Sequence, residues 1–253
     1  MSLRYKGIFS SATNIGKVRI TNEDQAAALT NFAGDIFLII CDGMGGQNKG
    51  DFASKTALDF LVDSFRKKRK TPMFLTKQWL KLALRKANSM IYQQAQSNPT
   101  YKDAGTTCIC VIIQGEKMLV CNIGDSRAYR YGYGRLERLS KDQTYVDYLY
   151  RTGKIKREEM DTSPDRHVLM NALGIYPSCS SDMEVLPYCG ESILLCSDGL
   201  YNNVSESEIR AVLATDERPD QKVNMLIAEA NANGGSDNIG IAYWEAIGHD
   251  QNR

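Results

Sequence analysis

The sequence predicts an α+β fold, and three observations carry that reading. Apolar runs short enough to be strands gather mainly in the middle of the chain. Segments with helical spacing fall before and after them. The two kinds are segregated rather than alternating, which favours separate layers over a doubly wound sheet.

The elements follow in order. Residues 35–41 are a continuous apolar run that stops at Asp42-Gly43, the pattern of a strand buried on both faces. Ala53, Ala57, Phe60, Leu61 and Ser64 lie at helical spacing, as do Trp79, Leu82, Ala83, Ala87, Met90 and Ile91. Residues 107–113 and 117–123 flank Gln114-Gly115-Glu116 and predict a hairpin. Strands are expected at 126–133 and 136–139, with Gly132 and Gly134 between them. Residues 192–196 repeat the design of an apolar run ending near Asp-Gly. A third amphipathic helix carries Val223, Leu226, Ile227 and Ala230, and 238–244 read as a last strand. Without a linker, repeat or low-complexity segment, residues 1–253 are expected to form one domain.

Bulk properties narrow the function. Thirty-one basic and 30 acidic residues leave a formal charge of +1, so no basic excess points to nucleic acid. The run from Arg66 to Lys70 follows an amphipathic segment and reads as a solvated helix end. No fully apolar stretch is longer than Ile36 to Cys41, far too short to span a membrane. Five of the seven cysteines (Cys41, Cys108, Cys110, Cys121 and Cys196) sit in apolar runs. No second pair or nearby histidine completes a zinc site around Cys108 and Cys110, so reduced core thiols in a cytoplasmic protein are expected. With no heptads or long apolar stripe, a monomer is the default.

Four acidic clusters stand at strand ends: Asn22-Glu23-Asp24, Asp42-Gly43-Met44-Gly45-Gly46, Ser197-Asp198-Gly199 and Ser236-Asp237-Asn238. One Asp-Gly after a strand is ordinarily a turn. Several carboxylates converging at a sheet rim repel one another unless a cation lies between them, and oxygen ligands suit Mg²⁺ or Mn²⁺. Glycine after the aspartate is expected to let the backbone turn sharply and bring a carbonyl to the same ion.

Read in order, these residues resemble the metal-dependent protein phosphatases of the protein phosphatase 2C family, particularly the short bacterial kind. The resemblance rests on Gly16 to Asp24, and on Asp42 to Gly46 followed by Gly50, Ala53 and Ser54. It continues through Gly105-Thr106-Thr107, Asn122 to Arg127, Ser197-Asp198-Gly199 and Ser236-Asp237-Asn238, covering about residues 5–245. It implies a four-layer α-β-β-α sandwich, two mostly antiparallel sheets flanked by helix pairs. It also implies two Mn²⁺ or Mg²⁺ ions about 4 Å apart. Asp42 would bridge them, Glu23 and the Gly43 carbonyl would hold one, and Asp198 and Asp237 the other. Asp24 would orient the attacking water, and Arg19 would clamp the phosphate with its planar fork of donors. A metal-bridging hydroxide would attack phosphoserine or phosphothreonine in line, with no covalent intermediate. Asp125, sharing Asp198, would hold a third metal, although Asp-Ser-Arg capping a strand turn remains an open alternative. The implied partners are phosphoproteins, a Ser/Thr kinase and its targets among them.

Departures from the family pattern cluster outside the acids. Relatives often carry histidine where Gln47 and Gln143 stand, and arginine where Asn171 stands, at the end of a flap expected at 141–175. General acid help is typically worth about 10²–10⁴ in rate, so its source matters. His167 is expected on the flap surface. Two rival readings follow: a catalytically silent phosphoprotein-binding relative, and a nucleotide binder using Gly43 to Gly46. The latter lacks the Gly-Lys-Ser/Thr of a P-loop.

Overall fold

The computed structural model describes residues 4–45, 49–160 and 162–250. Eleven strands, seven α-helices and one short 3-10 helix form among them. The first sheet orders β1 (Arg4–Asn14), β11 (Ile239–Asp250), β10 (Ser192–Cys196), β7 (Arg127–Gly132) and β8 (Arg135–Arg138). The second orders β2 (Asp24–Thr30), β3 (Ile36–Met44), β5 (Cys108–Gln114), β6 (Lys117–Ile123) and β9 (Asp182–Pro187), with the short β4 (Gly105–Thr106) on the end of β3. Every pairing in both sheets is antiparallel.

The period-two alternation of β3 shows why the layers form. Phe37, Ile39 and Cys41 face α1 (Lys49–Arg66) and α2 (Met73–Ser97), where Phe37 stacks on Phe65 at 4.7 Å between ring centroids. Ile36, Leu38 and Ile40 face the other way, into a core shared with Ile193, Leu195, Ala242 and Trp244 of the first sheet. Trp244 enters that core without stranding its donor, because Nε1–H bonds the Tyr188 hydroxyl at 2.8 Å. On the outer face of the first sheet, Leu194, Cys196, Ile241 and Tyr243 meet α6 (Glu206–Leu213) and α7 (Pro219–Ala232). Three apolar seams separate four layers, helix on sheet on sheet on helix, as the resemblance implied.

The flap segment carries two short helices, α3 (Tyr145–Arg151) and α4 (Arg157–Met160). The basic run departs from expectation. Helix α1 stops at Arg66, and Lys68 is buried, with its Nζ 2.9 Å from Asp35 and bonded to the Arg69 carbonyl. The charge that looked solvated neutralises an acid at the near end of β3.

Candidate active site

The carboxylates gather where strands of both sheets end side by side. Asp24 opens β2 and pairs in register with Asp42 near the end of β3. Asp198 begins the one-turn helix α5 (Asp198–Tyr201) just after β10, and Asp237 stands two residues before β11. Asp125 lies between β6 and β7, after Gly124, whose φ of 101° few side-chain-bearing residues adopt. One cavity of about 250 Å³ is lined by Arg19, Glu23, Asp42, Gly43, Asp125, Asp198 and Asp237, together with Thr107, Asn238, His167 and Leu169. Asp24 lies beside this cavity rather than in its lining, 1% exposed, and accepts a 2.6 Å bond from Ser197 Oγ.

Hydrogen bonds hold the acid-bearing backbone rigid. Asp42 N–H donates to Thr107 Oγ1 at 3.0 Å, while its carbonyl accepts from Thr106 Oγ1 and from the Thr107 amide. Asn238 staples the loop before β2. Its Oδ1 accepts from Glu23 N–H at 2.8 Å, and its Nδ2 donates to the carbonyls of Ile15 and Thr21. Gly43 does not turn the chain as expected; it stays within β3. A Cβ there would strike the carbonyls of Gly50 and Glu23, so its hydrogen lets the strand end press against the start of α1. Gly199 serves the same way against the Asn238 carbonyl.

The electrostatics are those of crowded acids. Burial raises the Asp24 carboxyl to about 7, with the Ser197 bond opposing and Asp198 and Asp237 adding to the rise. Burial, then Asp198 and Asp142, lifts Asp125 to about 8; burial and Asp237 lift Asp198 to about 6. Asp42 is raised well above its ordinary value by burial and by four neighbouring aspartates. Glu23 is raised by burial too, although the Gly50 amide and Arg19 pull it back.

The donor set suits hard divalent cations. Its side chains offer only carboxylate oxygens, and Glu23 Oε1 is buried with no hydrogen-bond partner. Three of the acids are nonetheless turned to protein partners: Asp237 to Arg19 Nη2 at 2.6 Å, Asp198 to Asn202 Nδ2 at 3.2 Å, Asp24 to Ser197. Among the described residues no three acids, imidazoles or thiols stand close enough to hold an ion as they are. Holding one would need these side chains to rotate.

His167 was expected on the flap surface. It is exposed, yet it lines this cavity and also a smaller one beside it, and its Nε2 accepts from Arg166 at 2.9 Å. Gln143 is buried and structural rather than poised over the cavity. Gln47 lies outside the described residues. Sequence reading assigned no task to Ser197, Thr107 or Asn238. The place of Ser197 and Asn238 beside an acid was the available signal, which Thr107 lacks, but their partners lie as far as 223 residues away.

Comparison with known proteins agrees with this geometry. The profile of the family described as Protein phosphatase 2C matches residues 16–227. The serine/threonine phosphatase stp of Listeria monocytogenes is 33% identical over 238 residues, covering 92% of this chain and 93% of that protein. The crystal structure of serine/threonine phosphatase Stp1 from Staphylococcus aureus superposes with a TM-score of 0.91 at 30% identity, covering 98% of each chain. The catalytic domain of the serine threonine protein phosphatase PstP, solved in complex with two manganese ions, matches with a TM-score of 0.83 at 28% identity, covering 96% of this chain and 99% of that one. With residues 16–227 matched and the four layers in place, the chain belongs to the protein phosphatase 2C family.

Proposed function

We propose that this protein removes phosphate from phosphoserine and phosphothreonine in proteins, using Mn²⁺ or Mg²⁺ held by Asp42, Glu23, the Gly43 carbonyl, Asp198 and Asp237. The family and the named relatives make the chain a metal-dependent protein serine/threonine phosphatase. One observation carries the assignment of residues: Arg19 and five acids from both sheets line a single cavity at the strand ends.

When bound, the ions supply an acidified water and Lewis-acid charge for the phosphoryl oxygens. The protein supplies the rest. Arg19, on the loop before β2 and half exposed, reaches the cavity mouth and presents a planar fork of donors to a phosphate. Exchange of its Asp237 partner for substrate would free that fork as the acid turns to metal. Asp24, bonded by Ser197 beside the cavity, would orient the water. Asp125, sharing Asp198, would hold a third ion. No described residue forms a covalent intermediate in this scheme, and the buried cysteines are core residues. A silent, binding-only relative is disfavoured because all five acids remain and face one cavity.

Residues 1–253 work as one phosphatase domain, with the flap near 141–175 beside the cavity. The substrates are phosphoproteins. A Ser/Thr kinase and its targets, a monomeric state and a cytoplasmic setting complete the reading; no helix among the described residues is long and apolar enough to cross a membrane.

The test is turnover of a phosphothreonine peptide and of p-nitrophenyl phosphate, with Mn²⁺ and with EDTA. Both substrates should turn over only with metal, and Asp237→Asn should raise the Mn²⁺ concentration needed and lower the rate. Undiminished turnover in EDTA would sink the reading.

A further inference from the structure

Gln143 and Asn171 stand 28 residues apart in sequence, yet Asn171 Nδ2 donates to Gln143 Oε1 at 2.8 Å. Gln143 is only 8% exposed and its hydrogen-bonding capacity is filled. Its Oε1 also accepts from Gly124 N–H at 3.0 Å, and its Nε2 donates to Asp182 Oδ2 at 2.9 Å. Its backbone N–H bonds the Gly124 carbonyl, and its carbonyl accepts from Met170 N–H at 2.8 Å. Turning the amide over would set NH₂ against two other N–H donors, so one orientation alone satisfies the site. Asn171 gives its other proton to the Ser180 carbonyl at 2.9 Å.

This pair touches two things at once. On one side is Gly124, the residue before Asp125. On the other are Met170 and Asn171, which immediately follow His167 and Leu169 on the chain. Those two are the flap residues that line the catalytic cavity; the remaining lining belongs to the strand ends and their loops. A cavity of about 250 Å³ has room for a phosphoryl group and the side chain that bears it. Flanking peptide has to run along the rim, where the flap forms one wall.

We propose that the Gln143–Asn171 amide pair is a positioning latch that fixes the His167–Leu169 wall against the Asp125 loop, and so sets the preference for peptide-borne phosphate over small phosphate esters. The inference deepens the phosphatase reading and rests on it. Neither residue meets the reacting atoms. The latch acts through the wall it holds.

Asn171→Asp tests it, because the shape is kept while a donor becomes an acceptor facing two oxygens. Asn171 is partly exposed, so this variant should fold even where the buried Gln143 tolerates no substitution. The KM for a phosphothreonine peptide should rise about tenfold, while kcat and KM for p-nitrophenyl phosphate stay within about twofold of wild type. Gln143→Met, if folded by circular dichroism, should show the same split. The double variant should be no worse than the more severe single one. Equal losses on both substrates, additive effects, or no change in peptide KM would overturn the latch. Wild-type protein inactive on both substrates with Mn²⁺ would instead overturn the phosphatase reading and the latch with it.

Discussion

Strand β3 has an acid at each end of its apolar run, and the two are treated in opposite ways. Asp35, just before Ile36, is 6% exposed and fully compensated. Lys68 meets its Oδ2 at 2.9 Å, Gln114 Nε2 donates to the same oxygen at 2.8 Å, and its amide bonds Asn31. Asp42, at the other end, has aspartates for neighbours and no basic side chain bonded to it among the described residues. A buried acid with a dedicated lysine is a structural joint. A group of buried acids without one is held against its own repulsion by the surrounding fold, and so is poised to capture cations.

The sharpest way to break this contrast is to remove a charge from each end. Asp198→Asn at the crowded end should lower kcat/KM for p-nitrophenyl phosphate by about 10³ or more, the scale of several kcal/mol of metal-derived stabilisation. In EDTA the same variant should melt slightly above wild type, because one repelling charge is gone. A melting point that falls instead would mean Asp198 is a structural joint like Asp35. At the compensated end, Lys68→Met leaves Asp35 without its cation and should cost roughly 3–5 kcal/mol of stability by urea unfolding. The kcat/KM of the folded protein should not move. If it does, the two ends are coupled through β3 rather than independent.

The smallest effect concerns pH. The carboxyls of Asp198, Asp24 and Asp125 are raised to about 6, 7 and 8. Groups raised above their unfolded value stabilise the fold most where both states are protonated, and that contribution is lost as pH climbs through the raised values. The EDTA-treated protein should therefore lose a few degrees of melting temperature between pH 5 and pH 8, beyond any change seen in Asp198→Asn. Mn²⁺ binds the ionised acids, so the stabilisation it gives should grow over the same interval. Melting curves at fixed Mn²⁺ concentration read both trends.

What the sequence revealed and hid follows the same division between interior and edge. Strands β3, β5, β6 and β10 lie inside their sheets, covered on both faces, and their runs of Ile, Leu, Val and Cys are legible at sight. Of the strands that escaped, β1, β2 and β9 are sheet edges, and the two-residue β4 hangs on the end of β3. Strand β1 leaves Ile8 and Phe9 about two-fifths exposed; β2 is built on Ala26-Ala27-Ala28; β9 ends in Pro187, as an edge permits. The acids were legible because each follows or opens a strand. Ser197, Asn238 and Gln143 were not, since their work is hydrogen bonding to segments remote in sequence, which no local pattern records. The buried Lys68 was hidden for the same reason: its neighbours in sequence are solvated charges, and its partner lies on another element.

The pairing of the first strand with the last has a consequence for the newborn chain. Strand β1 aligns with β11 from Arg4↔Asp250 to Asn14↔Ile239, and the loop carrying Arg19 and Glu23 is stapled by Asn238. During synthesis those early residues wait for a partner 215 positions downstream of Glu23, roughly 10–40 s at ribosomal speeds. The helix-covered sheet around β3, β5 and β6 can condense meanwhile from segments already translated. The catalytic cavity is thus the last part of the molecule to be assembled, and a ribosome-bound fragment lacking the final strand would carry all of these acids with no means of acting on a phosphoprotein.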